Sequence, residues 1–110
     1  MRENELERIL VDEIRKAGGR AYKWVSPGND GVPDRIVFMP GGKIYLLELK
    51  TKTKKPRPIQ EAQISRLRKL GQIVMVLRGM QGLIDFFKVA GLVKVAEKYE
   101  KKYAEGGEAR

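Results

Sequence analysis

The chain has 110 residues, with 23 lysines and arginines against 14 acidic residues and a formal charge of +9. It contains no cysteine and no histidine, which excludes disulfide scaffolds, thiolate or imidazole metal sites, and histidine-based catalysis. The basic charge favours a polyanionic partner, most simply nucleic acid, over the alternative of a merely soluble basic protein.

No segment is long and apolar enough for a membrane span, and Met1 is followed by charged residues rather than by a signal peptide. We therefore expect an intracellular protein of one domain with no membrane association. Any metal must be bound by oxygen ligands, which favours hard cations such as magnesium, manganese or calcium.

The apolar pattern predicts helices and strands in chain order. The first helix spans residues 2–17, where Leu6, Leu10 and Ile14 recur at helical spacing. The segments predicted to be strands are 20–25, 34–39, 43–50 and 72–77. The segments predicted to be later helices are 58–70, 80–89 and 94–103.

These elements predict an α/β fold with a small mixed β-sheet flanked by helices, in the order α-β-β-β-α-β-α. The third and fourth strands are joined through a helix, as expected for a parallel crossover unit. Residues 1–93 are predicted to form the domain, and residues 94–110 a charged C-terminal helical tail.

The predicted second and third strands carry the charged residues Asp34, Glu48 and Lys50. Their presence requires an explanation, because buried charges are costly unless they are paired or bind a metal. Strand alternation places Glu48 and Lys50 on one face of the third strand. Asp34 shares that face only if the connecting loop has an odd length, as in a three-residue turn at Pro40-Gly41-Gly42. A two-residue turn would place Asp34 on the other face.

Two carboxylates and a lysine of this kind fit metal-dependent phosphodiester hydrolysis. Oxygen-bound magnesium or manganese can neutralise phosphoryl charge without histidine. Lys50 could polarise or deprotonate a water, or stabilise the charge of the transition state. The alternative that the residues leave open is a simple ion pair between Glu48 and Lys50 at the end of a strand.

The run from Gly31 to Arg35 (Gly-Val-Pro-Asp-Arg), followed by Glu48-Leu49-Lys50, resembles the P-D…(D/E)-x-K signature of the restriction-endonuclease-like superfamily. The Gly-x-Pro-Asp-Arg form is similar to that of the VRR-NUC (virus-type replication-repair nuclease) family. Further stretches resemble the family's pattern in order over about residues 3–88: Gly18-Gly19, Tyr22-Lys23, Ser26-Pro27-Gly28, Pro40-Gly41-Gly42-Lys43, Gln60 and Leu67-Arg68-Lys69-Leu70-Gly71.

The resemblance implies a restriction-endonuclease-like core and a structure-selective DNA endonuclease that uses Mg²⁺ or Mn²⁺. The implied metal ligands are Asp34, Glu48, the Leu49 backbone carbonyl and a glutamate of the first helix, either Glu7 or, as second choice, Glu3. Lys50 would be the catalytic lysine, and Gln60 would support the site from the second helix. The residues predicted to contact nucleic acid are Lys23, Ser26, Arg35, Lys52, Lys54, Lys55 and Arg57.

The resemblance also implies a biological setting. Stand-alone family members of viral type are homodimers that cleave branched DNA, such as four-way (Holliday) junctions or flaps in DNA repair. A chain of this length is expected to be of that type and to be phage-encoded. The segment after Lys88 lies outside the resemblance and could be a dimer element or a tail.

Two other interpretations remain open at this stage. A non-catalytic nucleic-acid-binding module would keep the basic segment from Lys52 to Arg57 for phosphates, while Asp34 and Glu48 would only pair and cap. A structural accessory protein of a phage would use an apolar stripe as an interface, although helical spacing makes this stripe more typical of core: Met80, Leu83, Phe86 and Phe87.

Overall fold

The computed structural model describes residues 1–104. Its elements in chain order are α1 (Glu3–Lys16), β1 (Arg20–Lys23), β2 (Arg35–Met39), β3 (Lys43–Lys50), α2 (Pro58–Lys69), β4 (Val74–Arg78), α3 (Gly79–Val89) and α4 (Val93–Ala104). The predicted fold class and the order of its first seven elements are confirmed, and α4 follows as an eighth element. No helix in this described part of the chain is long and apolar enough to cross a membrane.

The four strands form one mixed sheet in the order β1-β2-β3-β4. β1, β2 and β3 are antiparallel neighbours, whereas β3 and β4 are parallel and are connected through α2. Met39 pairs with Lys43, so the hairpin between β2 and β3 has the predicted three-residue loop. Its two glycines, Gly41 and Gly42, have φ of 89° and 84°, a region that glycine adopts without steric cost.

One face of the sheet, here called the packed face, is covered by α1, α3 and α4. Tyr45, Leu47 and Leu49 of β3 point to it and are at most 2% exposed. They meet the apolar stripes of the helices, which include Leu10 of α1 and Phe87 of α3. The predicted stripe of Met80, Leu83, Phe86 and Phe87 is therefore core, and its use as an external interface is ruled out by its burial.

The opposite face, here called the site face, carries a smaller cluster in which Leu46 and Val74 pack beneath Ile64 of α2. Strand alternation puts Glu48 and Lys50 on this face as well. The sheet is thus closed on one side by a large apolar core and only partly covered on the other.

The segment predicted as a charged tail from residue 94 contains α4, which begins at Val93. Ala96 is 1% exposed within the main core, and Tyr99 and Tyr103 pack against the same core. α4 therefore packs against the domain, while residues 105–110 of the predicted tail lie outside the described residues.

Candidate active site

Glu48 lies near the end of β3 and is 2% exposed. Its Oε2 accepts a hydrogen bond from Gln60 Nε2 at 2.8 Å and forms an ion pair with Lys50 Nζ at 3.1 Å. Its Oε1 is buried and has no hydrogen-bond partner in the described structure. Burial raises the pKa of Glu48, and the charge of Asp34 raises it further, against the opposing effects of Lys50 and Gln60.

Asp34 immediately precedes β2, and continuing the β2–β3 register by one residue places it opposite Glu48. Its Oδ2 accepts a hydrogen bond from the Leu49 N–H at 3.1 Å, and its carbonyl accepts one from the Trp24 N–H at 2.7 Å. The side chain of Asp34 is therefore held by β3, and its backbone carbonyl by the residue that follows β1. The loop has the odd length that a shared face requires, so the Asp34 and Glu48 carboxylates lie on the same face.

The loop before Asp34 is fixed by the start of α2. Gly31 has φ of +86°, and a Cβ there would lie 2.7 Å from the Ile59 carbonyl oxygen. Gln63 Nε2 also donates to the Asp30 carbonyl at 3.2 Å. The residues of this loop predict a turn, but only the fold shows that the turn packs on α2. Sequence patterns therefore missed Gly31 and Gln63 as residues that position the loop before Asp34.

Gln60 lies in the first turn of α2 and is 7% exposed. Its Oε1 accepts a hydrogen bond from the Arg57 N–H at 2.9 Å, one of the N–H groups at a helix start that lack an intrahelical partner. This contact fixes the orientation of the amide, so Nε2 is the end that faces Glu48. The helix start thus positions a donor that supports the charged form of the carboxylate.

These residues fit a hard cation. Asp34 and the unpartnered Oε1 of Glu48 are oxygen donors on one face, and a cation between them would reduce the electrostatic cost of two close carboxylates. Within residues 1–104, no group of three histidine, cysteine or acidic side chains is placed to hold an ion. The side-chain donors gathered here are therefore two carboxylates rather than three.

Glu7 and Arg35, both predicted site residues, pair with each other in the structure. Arg35 Nη2 lies 2.9 Å from Glu7 Oε2, and Arg35 Nη1 donates to the Ala21 carbonyl at 3.2 Å. Arg35 alternates with Asp34 and points to the packed face, with only 15% of its side chain exposed. In this structure Glu7 is paired with Arg35 rather than gathered with Asp34 and Glu48. Glu7 as a metal ligand and Arg35 as a nucleic-acid contact therefore stay predictions.

Four of the remaining predicted nucleic-acid contacts lie on one loop that follows the site lysine. Lys52, Lys54, Lys55 and Arg57 are exposed on the loop that leaves β3 just after Lys50 and enters α2. Lys23 is exposed at the end of β1. Ser26 is half-buried, and its hydroxyl accepts a hydrogen bond from Asn29 Nδ2 at 3.0 Å. The basic loop is therefore available to a polyanion beside the carboxylates.

Comparison with known proteins gives a consistent result. The sequence matches no established family profile. It is 52% identical over 77 residues to "Putative nuclease p44" of Acyrthosiphon pisum secondary endosymbiont phage 1, covering 70% of this chain and 83% of the phage protein. A solved structure described as "VRR_NUC domain" aligns with a TM-score of 0.66 and 32% identity over 70% of this chain and 83% of its own.

A second solved structure, described as "VRR_NUC domain protein", has a TM-score of 0.66 and covers 80% of this chain and 86% of its own. Its identity is 19%, so it supports the fold alone. The mixed sheet, its flanking helices and these matches define a restriction-endonuclease-like nuclease domain. The chain belongs to the VRR-NUC family.

Proposed function

We propose that this nuclease is a divalent-metal-dependent DNA endonuclease with its active centre at Asp34, Glu48 and Lys50. One observation carries the proposal. Glu48 is buried with Oε2 held by Gln60 and Lys50, whereas Oε1 has no hydrogen-bond partner among the described residues and lies on the same face as the Asp34 carboxylate. A buried carboxylate oxygen without a partner is costly, so a ligand is expected there.

Asp34, Glu48 and the Leu49 carbonyl would hold Mg²⁺ or Mn²⁺, which would supply Lewis-acid neutralisation of the phosphoryl charge. Gln60 keeps the Glu48 carboxylate oriented, because its own amide is held by the backbone at the start of α2.

Lys50 Nζ lies 3.1 Å from Glu48 Oε2. It would exchange a proton with a nucleophilic water or stabilise developing charge. Glu7 could become a further ligand only by leaving Arg35.

The substrate proposed is branched DNA, such as four-way junctions or flaps, cleaved by a homodimer. The basic loop from Lys52 to Arg57 would contact phosphates next to the scissile bond, because lysine and arginine position a nucleic-acid backbone without reading its sequence. A homodimer would present two such sites to the arms of one junction. The relative from a phage supports a phage-encoded origin and action inside the host cell.

The test is cleavage of linear, flap and four-way DNA with Mg²⁺ or Mn²⁺ and with EDTA. We expect cleavage only with metal, and a loss of about 10²- to 10⁴-fold for Asp34→Asn and for Lys50→Ala. Lys69→Ala removes an exposed lysine from the far end of α2 and should cleave like wild type. Full activity of the Asp34 or Lys50 variant would refute the site.

Calorimetry with Mn²⁺ provides a readout that does not depend on cleavage. Asp34→Asn should abolish measurable binding, whereas Glu7→Gln should retain it within about 2-fold if two carboxylates hold the ion. A large loss of Mn²⁺ affinity in Glu7→Gln would instead indicate that Glu7 is a third ligand. Light scattering on the purified protein tests the dimer.

The second candidate function is a non-catalytic nucleic-acid-binding module. The ion pair between Lys50 and Glu48 favours it, because this pair already compensates part of the charge of Glu48 without a metal. Binding of the same DNA substrates without cleavage under any metal condition would support this candidate. Neutralising Lys54 would then weaken binding to all DNAs alike and lower its salt dependence.

A further inference from the structure

Two aromatic side chains are exposed side by side on the sheet. Tyr22 of β1 is 57% exposed and Phe38 of β2 is 40% exposed. Their rings pack edge to face, with centroids 6.0 Å apart and an interplanar angle of 60°. Large exposed apolar side chains that form a contiguous patch commonly mark a binding surface.

This patch lies on the site face of the sheet. Alternation along β1 places Arg20, Tyr22 and Trp24 on one side, and Trp24 is the residue whose N–H bonds the Asp34 carbonyl. Arg20 is the strand partner of Phe38, and its guanidinium donates a hydrogen bond to the Gly19 carbonyl at 2.7 Å. We call Arg20, Tyr22 and Phe38 the aromatic platform.

The platform and the proposed active centre are at opposite ends of the same face. Asp34 and Phe38 are four residues apart along one extended segment, which corresponds to about 13 Å. A single strand with about 3.4 Å between stacked bases would cover that distance in about four nucleotides. Ile36, partly buried and paired with Tyr22, lies between the two ends, and Trp24 lies beside Asp34.

No described element covers the platform. β1 is at the edge of the sheet, and α2 packs over Leu46 and Val74, which lie on the β3–β4 half of the same face. The helices that pack against the sheet elsewhere contact the packed face. The β1–β2 part of the site face is therefore open to a ligand.

We propose that the aromatic platform stacks unpaired bases of a single-stranded DNA segment about four nucleotides from the cleaved bond. This inference rests on the proposed nuclease function and narrows its substrate to DNA with an unpaired region, such as a flap or an open branch. Aromatic rings accept any base, because every base has a π face. Arg20 adds a cation for the phosphate backbone in a chain with a charge of +9.

A second copy of the chain fits this patch less well. At a two-fold contact the same surface meets itself, so the two Arg20 side chains would approach each other without an acidic partner on the platform. A polyanion with planar bases matches both the charge and the rings. The structure therefore favours single-stranded DNA over self-association at this surface.

The test is binding of a fluorescently labelled single-stranded oligonucleotide and of a matched duplex, both in EDTA. We expect Tyr22→Ala and Phe38→Ala each to weaken single-strand binding by about 5- to 150-fold and to leave duplex binding unchanged. Tyr22→Phe keeps the ring and should bind within about 2-fold of wild type. Leu70→Ala, which removes a 71% exposed side chain from the end of α2, is the aliphatic control.

Salt dependence separates stacking from charge. The two alanine variants should keep the salt slope of wild type, whereas Arg20→Gln should reduce the slope by about one phosphate contact. The fluorescence of Trp24, the single tryptophan, should change on single-strand binding to wild type, because it lies beside Asp34 on the face that the strand would cross.

Equal loss of single-strand and duplex binding in the alanine variants would overturn the proposal, as would unchanged single-strand binding. A change in oligomeric state by sedimentation, with DNA binding intact, would assign the surface to self-association instead. Because the binding assay contains no metal, it is independent of catalysis. Single-strand binding without cleavage would retain the platform and reject the nuclease proposal.

Discussion

Two buried glutamates, on opposite faces of one sheet, have opposite surroundings. Glu13 of α1 is 3% exposed and Glu48 of β3 is 2% exposed. Glu13 Oε2 accepts hydrogen bonds from Lys98 Nζ at 2.5 Å and from the Tyr99 hydroxyl at 2.6 Å, both on α4. Glu48 has one oxygen held and one without a hydrogen-bond partner in the described part of the chain.

The pKa shifts of the two groups differ in the same way. Burial raises the pKa of Glu13, but the hydrogen bonds from Lys98 and Tyr99 outweigh burial and lower it overall. Burial and the charge of Asp34 leave the pKa of Glu48 raised. Glu13, whose buried carboxylate has hydrogen-bond donors from α4, joins two helices. Glu48, whose Oε1 has no hydrogen-bond partner in the described residues, indicates a site for a ligand.

The largest expected effect is that of Glu48→Gln on activity. Loss of this charged oxygen should reduce cleavage by about 10³-fold, because groups that stabilise transition-state charge have effects of this size. The free energy of unfolding should stay the same or rise, since a buried like-charge interaction with Asp34 disappears. Cleavage rates and urea unfolding measure the two quantities, and a clear loss of stability would contradict the comparison.

Gln60→Ala should reduce activity by about 10- to 100-fold through the orientation of Glu48, as expected for a group that supports a metal ligand. Mn²⁺ affinity measured by calorimetry should fall with it. Gln63→Ala, on the same helix, removes only a bond to the Asp30 carbonyl and serves as the matched control. Equal effects of both variants would indicate that the helix, rather than the amide of Gln60, is responsible.

Glu13→Ala should show the reverse pattern. It leaves Lys98 and Tyr99 without their acceptor, and we expect the free energy of unfolding to fall by about 1–3 kcal/mol. Cleavage per folded molecule should remain that of wild type, because Glu13 is on the packed side of the sheet. A reduced cleavage rate at a temperature where the variant is fully folded would mean that the two regions are coupled.

The smallest expected effect is a pH dependence of stability caused by Glu13. Because its folded-state pKa lies below the ordinary value of 4.5, its contribution to stability is present above that value and is lost as pH falls through the folded pKa. Denaturant midpoints measured between about pH 7 and about pH 3 should fall less steeply for Glu13→Gln than for wild type. Lys16, Lys98 and Tyr99 are the groups that influence this carboxylate.

Local sequence predicted much of the site. Strand alternation determines that Glu48 and Lys50 share a face, and it predicts that Asp34 joins them if the loop has an odd length, as the structure shows. A proline at the start of α2 likewise places Gln60 in the first helical turn. These relations extend over few residues, and backbone geometry alone is enough to specify them.

The partners of Glu7 and Glu13 could not be predicted in the same way. Both glutamates lie on α1 near its apolar stripe, and Glu13 follows Leu10 by three residues, a spacing that signals its burial. Its partners Lys98 and Tyr99 are 85 and 86 residues away, and the Arg35 partner of Glu7 is 28 residues away. No periodicity within one helix identifies which distant cation will reach it.

The sequence by itself therefore determined the element order and the face shared by Glu48 and Lys50, because each depends on residue spacing along one segment. It reduced the face of Asp34 to the length of one loop, which the hairpin pairing then decided. Only the tertiary structure decided that Arg35 pairs with Glu7 and that α4 packs on the domain through Glu13. It also decided that Tyr22 and Phe38 remain exposed. Those outcomes depend on how separate elements approach one another, which the spacing within an element does not specify.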